Sequence, residues 1–213
     1  MWEFIEDRRV QILTNAWNHA YLVILAILFA TVIAIALAMI VTRLPKLEPA
    51  ANAVSAVGLT IPSFALIGLL LPFTGLGAPT ALLAVTFYAV LPILRNAVVG
   101  LAGVDPNLVE SARGMGMSEL ASMFRIRLPL AWPVILAGIR ISMQMSMGIA
   151  AIAAYVLGPG LGVGIFIGLA QIGGKNAVNE ALVGTLGIVL IALVLDVLLL
   201  ALGRVTTSKG IRV

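Results

Sequence analysis

Long apolar runs without a single charged residue alternate with short polar stretches along this chain. The runs extend from Ala20 to Thr42, Pro49 to Leu94, Ile141 to Gly174 and Ala181 to Leu195. All but the last are near or above the about 20 residues that carry a helix across a bilayer. As one helix the second run would be about 69 Å long, roughly twice a hydrocarbon core of about 30 Å, so it has to fold back on itself. The sequence PFTGLGAP, Pro72 to Pro79, supplies the turn. The pattern therefore predicts an all-α integral membrane protein with about five transmembrane helices: Ala20 to Thr42, Ala51 to Leu71, Pro79 to Leu101, Leu130 to Leu157 and Ala181 to Gly203. Residues 1–19 form an N-terminal segment, residues 20–203 the membrane domain with a polar loop at about 105–129, and residues 204–213 a tail.

Within the first span Ala26, Ala30, Ala34 and Ala38 recur every fourth position and make one flat stripe. Lipid gives apolar helices no reason to associate, so close backbone approach across small side chains has to supply the attraction. Pro62 and Pro92 lie inside apolar spans and free backbone carbonyls there, which fits either a water-lined pathway or a simple packing kink.

Composition agrees: 62% of the 213 residues are hydrophobic and 10% charged, and the mean hydropathy is +1.15. Cysteine is absent, which removes disulfides and thiolate metal sites. The N-terminus carries acidic residues early and lacks a small-residue cleavage site, so it does not read as a removable signal peptide. Basic residues are scattered over loops, and nucleic acid is not an expected partner. Their distribution sets a topology. If the loop from Arg95 to Pro129 faces the cytoplasm, then Arg43, Lys46, Arg95, Arg113, Arg125, Arg127, Arg204, Lys209 and Arg212 lie inside, against Arg8, Arg9 and Lys175 outside. The N-terminus is then out and the C-terminus in.

The polar loop VESARGMGMSELASMFRIRLPLAWP, Val109 to Pro133, reads as two short helices joined by a glycine turn. Asp105 can cap the first, with Pro106 where a missing N–H costs nothing. Gly114 or Gly116 can end it in a left-handed conformation. Ser118 caps the second, Glu119 meets its positive end, Arg125 and Arg127 its negative end, and Leu128 and Pro129 stop it before the next span. So structured a connector exceeds what turning the chain requires.

Glu110, Ser111, Ala112, Gly116, Ile126, Leu128 and Pro129 reproduce the spacing of the EAA loop. In this the chain resembles the permease subunits of binding-protein-dependent ABC importers, Ser111 replacing the middle alanine. The segments TIPSFALIGLLLP, YAVLPILRNAVVGL, LPLAWPVILAGIR and GPGLGVGIFIGL are similar to those of osmoprotectant permeases, which carry glycine betaine, carnitine or choline. The resemblance implies a MetI-like permease fold in a bacterial or archaeal cytoplasmic membrane, with the loop acting as coupling helices between the third and fourth spans. Glu110, Ala112 and Gly116 would form its docking surface, and Ile126, Leu128 and Pro129 would fix its junction with the fourth span. It also implies two ATP-binding subunits, a second copy or a homologous permease, and an extracytoplasmic substrate-binding protein. ATP and Mg would sit on the partner ATPase, with no cofactor and no catalysis in this chain. Relatives of this kind also carry other small amines or amino acids.

Other residues stand out on their own. Arg140 and Asp196 are charges within spans, set either to pair or to snorkel separately. Gln144 with Met143 and Met147 is a candidate pathway lining, against a core-packing role for the methionines. The glycine-rich stretch from Gly158 has neither phosphate-loop nor GxGxxG spacing. It fits a close-packed outer gate or docking surface, or merely a flexible loop. Trp17 and Trp132 fit interfacial anchoring. An intramembrane enzyme is disfavoured, because the only histidine is His19 and no serine has a plausible partner. An ion-coupled carrier would want carboxylates in several spans, where Asp196 stands alone. The rings are not clustered along the sequence, so a cation–π cage for a quaternary amine is expected on the binding protein rather than here.

Overall fold

The computed structural model describes residues 1–207 and is all-helical; Lys209 and Arg212, counted in the charge topology, lie outside the described residues. Among the described residues four helices are long and apolar enough to cross a membrane, or five if a bent pair counts as one span.

A short helix α1 (Trp2–Asp7) leads into α2 (Arg9–Arg43), which begins eleven residues before the expected start at Ala20. The added turns carry no unbroken apolar run. They are helical because one face, with Ile12, Ala16 and fully buried His19, packs on the core, while the opposite face exposes Val10, Leu13 and Trp17 together with polar residues. The alanine stripe of α2 is completely buried, and α2 packs mainly on α5 (Ala78–Ala102). The segment 1–19 is thus part of the bundle, tied down by buried Phe4 and by an ion pair from Arg8 to Glu180.

The predicted second span is not one helix. It consists of α3 (Glu48–Gly58) and α4 (Ser63–Thr74), bent by 97° at the break between them. Pro62 is extended (φ −63°, ψ 131°), cannot donate a helical hydrogen bond and disfavours helix in the residue before it. The break is braced from α5, whose Tyr88 hydroxyl donates to the Ile61 carbonyl. The turn into α5 uses Gly77 at φ 101°, and the Gly77 N–H bonds the Val156 carbonyl across the bundle.

After α5 come the two loop helices, α6 (Pro106–Gly114) and α7 (Glu119–Ser122). The expected stop at Leu128 and Pro129 does not occur. Helix α7 passes through a π-helical turn, Met123–Arg127, straight into α8 (Leu128–Ala153), giving one continuous helix from Glu119 to Val156. Pro129 sits in the first turn of α8, and the wider turn before it accommodates the missing N–H and the ring. Arg125 and Arg127 consequently do not face a helix end of their own. Arg127 instead donates to the carbonyl of Leu101, in the last turn of α5, an orphan acceptor that a cation suits.

Helix α8 packs most extensively on α5, where the Ser142 hydroxyl donates to the Ala89 carbonyl at 2.8 Å in the buried interface. A 3₁₀ turn at Ala154–Val156 leads to α9 (Gly162–Ala170), which packs on α10 (Ala177–Thr206). The glycine-rich stretch is close-packed: a Cβ at Gly168 would lie 2.5 Å from the Ala177 carbonyl oxygen. The spans alternate in direction. The loop helices and Thr206 lie at one end, where Trp132 donates to Thr206 at 2.8 Å, and the Arg8–Glu180 pair lies at the other.

Candidate functional site

The loop is stiffened by its own chemistry. Asp105 caps α6 by accepting from the Asn107 N–H at 2.9 Å, and Ser118 caps α7 by accepting from the Ala121 N–H at 3.3 Å. Between them the chain reverses at Gly116, in the left-handed region at φ 81°, while the Met117 N–H bonds back to the Ala112 carbonyl at 3.0 Å. An exposed ion pair, Arg113 with Glu119 at 3.8 Å, links the two helices and by itself contributes little.

Of the residues expected to dock a partner, Glu110 and Gly116 are exposed, as is Ser111 beside them. Ala112 is not: it is fully buried, at 0% exposure. A shallow groove on the loop is formed instead by Pro106, Val109, Glu110, Arg113 and Gly114. Around it Leu108, Met115, Leu120 and Phe124 are exposed apolar side chains on an otherwise polar element. Sequence reasoning passed over these four. Large apolar residues left uncovered on a capped, polar loop make this face a candidate contact surface. Ile126 and Leu128 are half-buried at the α7–α8 junction, and Pro129 is exposed.

In the membrane part, Arg140 and Asp196 form a two-pronged ion pair between α8 and α10. Arg140 Nε donates to Oδ1 and an η nitrogen to Oδ2, both at 2.9 Å. Gln144, one turn further along α8, donates to the same Oδ1 at 3.3 Å. Two charges that would each be costly in lipid thus neutralise one another in the most directional geometry available to them. Met143 and Met147, at 4% and 2% exposure, are core residues and line no surface of this chain. From the same stretch Ile141 and Met145 do face a cleft, opposite Ser55, Pro92, Arg95 and Asn96. Trp17 is exposed near one end of α2, while Trp132 carries the additional bond to Thr206.

The expectation that this chain does not cluster aromatic rings is corrected by the fold. Phe64, Tyr155 and Phe166 meet, with ring centroids 5.5 to 6.5 Å apart. They are separated by up to about a hundred positions along the chain, so no local pattern could have announced them.

Among the described residues no group of histidine, cysteine or carboxylate side chains could hold a metal ion. Alternating spans, a broken helix and a capped polar loop with exposed apolar side chains define a multi-span membrane protein. Comparison with known proteins makes this specific. Residues 23–207 match the family described as binding-protein-dependent transport system inner membrane component, and the chain belongs to that family. It is 33% identical to the glycine betaine/carnitine/choline transport system permease protein OpuCB of Bacillus subtilis (strain 168), covering 100% of this chain and 96% of that protein. It is 35% identical to the carnitine transport permease protein OpuCB of Listeria monocytogenes, over 98% and 94% of the two chains. With the osmoprotectant import permease protein OsmW of Salmonella typhimurium (strain LT2) identity is 36%, over 98% of each. The fold is that of a chain in an inward-facing MetNI methionine ABC transporter, with a TM-score of 0.81 at 22% identity over 95% of this chain and 99% of that one. The chain is therefore the multi-pass inner-membrane permease component of an ABC importer, and nucleotide binding and hydrolysis belong to a separate ATPase subunit.

Proposed function

We propose that this permease imports a small quaternary-amine osmoprotectant such as glycine betaine, carnitine or choline. The observation that carries the reading is end-to-end similarity, at 33% to 36% identity, to permeases named for those solutes. The assembly consists of two ATP-binding subunits, two permease chains (two copies, or this chain and a homologue) and an extracytoplasmic binding protein that delivers the solute. The loop end faces the cytoplasm, which puts Arg43, Lys46, Arg113, Arg125, Arg127 and Arg204 on the inner side. The N-terminus, beside the Arg8–Glu180 pair, then lies outside.

Coupling follows from stiffness. Glu110, Ser111 and Gly116, with the apolar rim from Leu108 to Phe124, form the ATPase contact. Ile126, Leu128 and Pro129 carry its movement into α8, because α7 and α8 are one helix. A push on the loop then tilts a membrane span as a rigid body. Gln144, held by Asp196, and the cleft at Met145 are candidate pathway surfaces. The rival reading, a permease for another small amine or an amino acid, is favoured only by the fold shared with a methionine transporter.

Copurification with the ATPase and binding protein, followed by uptake into vesicles across a panel of quaternary amines, tertiary amines and amino acids, tests the proposal. ATP-dependent uptake of the quaternary amines supports it. Uptake of amino acids alone would replace it with the rival.

A further inference from the structure

Three rings gather where the membrane helices of this chain are interrupted. Phe64 is the second residue of α4, directly after the Pro62 break. Tyr155 stands in the 3₁₀ turn that ends α8, and Phe166 lies on the short helix α9. Their centroids are 5.5 Å (Phe64–Tyr155), 5.5 Å (Tyr155–Phe166) and 6.5 Å (Phe64–Phe166) apart, with the ring planes inclined at 78°, 58° and 87°. The rings meet edge-to-face (Phe64–Tyr155, Phe64–Phe166) or tilted (Tyr155–Phe166) rather than stacked. Tyr155 is 65% and Phe64 49% exposed, so these rings are not filling the core, which is built from aliphatic side chains and methionine.

Irregular backbone at membrane depth is tolerated where it meets protein or a water-filled space, and interrupted helices are where transported solutes are held in membrane carriers. A quaternary ammonium group has no N–H to donate, so hydrogen bonds cannot grip its nitrogen. Ring faces can, because they attract a diffuse positive charge within about 6 Å of the centroid. Tyr155 and Phe64 keep about half or more of their surface open, which suits a site that a solute touches in passing rather than one that stores it.

We propose that Phe64, Tyr155 and Phe166 form a transit subsite for the quaternary ammonium group on the permease itself. The inference rests on the quaternary-amine reading given above and locates one point of contact for it.

Two measurements on the complete permease–ATPase complex test it. First, saturation-transfer NMR with tetramethylammonium chloride, in the absence of binding protein, reports contact between methyl groups and protein. Second, vesicle uptake of choline and glycine betaine is measured with saturating liganded binding protein. Phe64→Leu, Tyr155→Leu and Phe166→Leu keep apolar bulk and remove the ring. Tyr155→Phe keeps the ring and is the control for packing. The expected result is a tetramethylammonium signal in the wild type that falls in each leucine variant, with uptake lowered about tenfold, and with both preserved in Tyr155→Phe. Wild-type signal and uptake in the leucine variants overturn the subsite while leaving the osmoprotectant function intact. Equal loss in Tyr155→Phe and Tyr155→Leu also overturns it, since the ring face is then not what matters. A wild-type complex that carries no quaternary amine at all removes the functional reading beneath it, whatever the leucine variants do.

Discussion

Two polar contacts inside the membrane part carry weight at the scale of single residues. Arg140 and Asp196 were legible as an anomaly in the sequence, since charges in apolar spans need a partner or a route to the surface. Which of the two applied depended on whether α8 and α10 are neighbours, and tertiary packing alone decides that. Removing either charge strands the other. Arg140→Ala and Asp196→Ala are each expected to lower the thermal unfolding temperature of the detergent-purified protein, and the double variant by clearly less than their sum. A coupling of about 1–3 kcal/mol is anticipated; strict additivity would show that the pair contributes nothing. Tyr88 is the second case. Its hydroxyl satisfies the Ile61 carbonyl at the Pro62 break, so Tyr88→Phe is expected to destabilise the protein by about 1 kcal/mol. Faster hydrogen exchange around residues 59–63 would localise the effect, and unchanged exchange there would count against the bracing role.

Among elements, α5 was readable to within a residue at each end from the glycine–proline turn before it and the polar stretch after it, although Arg95 lies inside it. Other spans were misread where a different rule operates. The first turns of α2 interleave Gln11, Thr14, Asn15 and Asn18 with apolar residues, and a reading that looks for unbroken apolar runs stops short of them. The α3–α4 pair passes any hydropathy test as one span, yet Pro62 turns it through 97°. At Leu128–Pro129 the error runs the other way: proline suggests a stop, and a π-helical turn carries the helix past it. The glycines of α9 illustrate close approach, because Gly168 lets α9 meet the start of α10. Gly168→Ala is expected to cost about 1–3 kcal/mol and to loosen that contact, since the opposing atom is a backbone carbonyl that cannot rotate away. A cysteine cross-link between α9 and α10 that forms as efficiently in the variant as in the wild type would contradict this.

For the whole molecule, the proposed coupling role rests on the continuity of α7 with α8, which would make the loop a lever rather than a tether. Glu110→Arg reverses a charge in the docking groove, and Gly116→Trp places a bulky side chain at a left-handed turn. Both are expected to lower ATPase association and vesicle uptake about tenfold or more while leaving the membrane bundle folded by circular dichroism. If association and uptake match the wild type, force does not pass through this loop. Leu120→Glu, on the exposed apolar rim, is expected to act in the same direction through desolvation of a charge in the interface.

The amino-acid order determined that this chain lives in a membrane, about how many times it crosses, and where its capped polar loop lies. Those properties follow from local rules: hydropathy over about 20 residues, and caps and turns over four or five. The family spacing of the loop is local as well. What only the tertiary structure decided is which distant residues meet. Arg127 reached the end of α5, Arg140 found Asp196, and rings from the start of α4 and from the α8–α9 region came together. Each depends on the relative position of helices far apart in sequence, which close packing of small side chains sets and no short window of residues records.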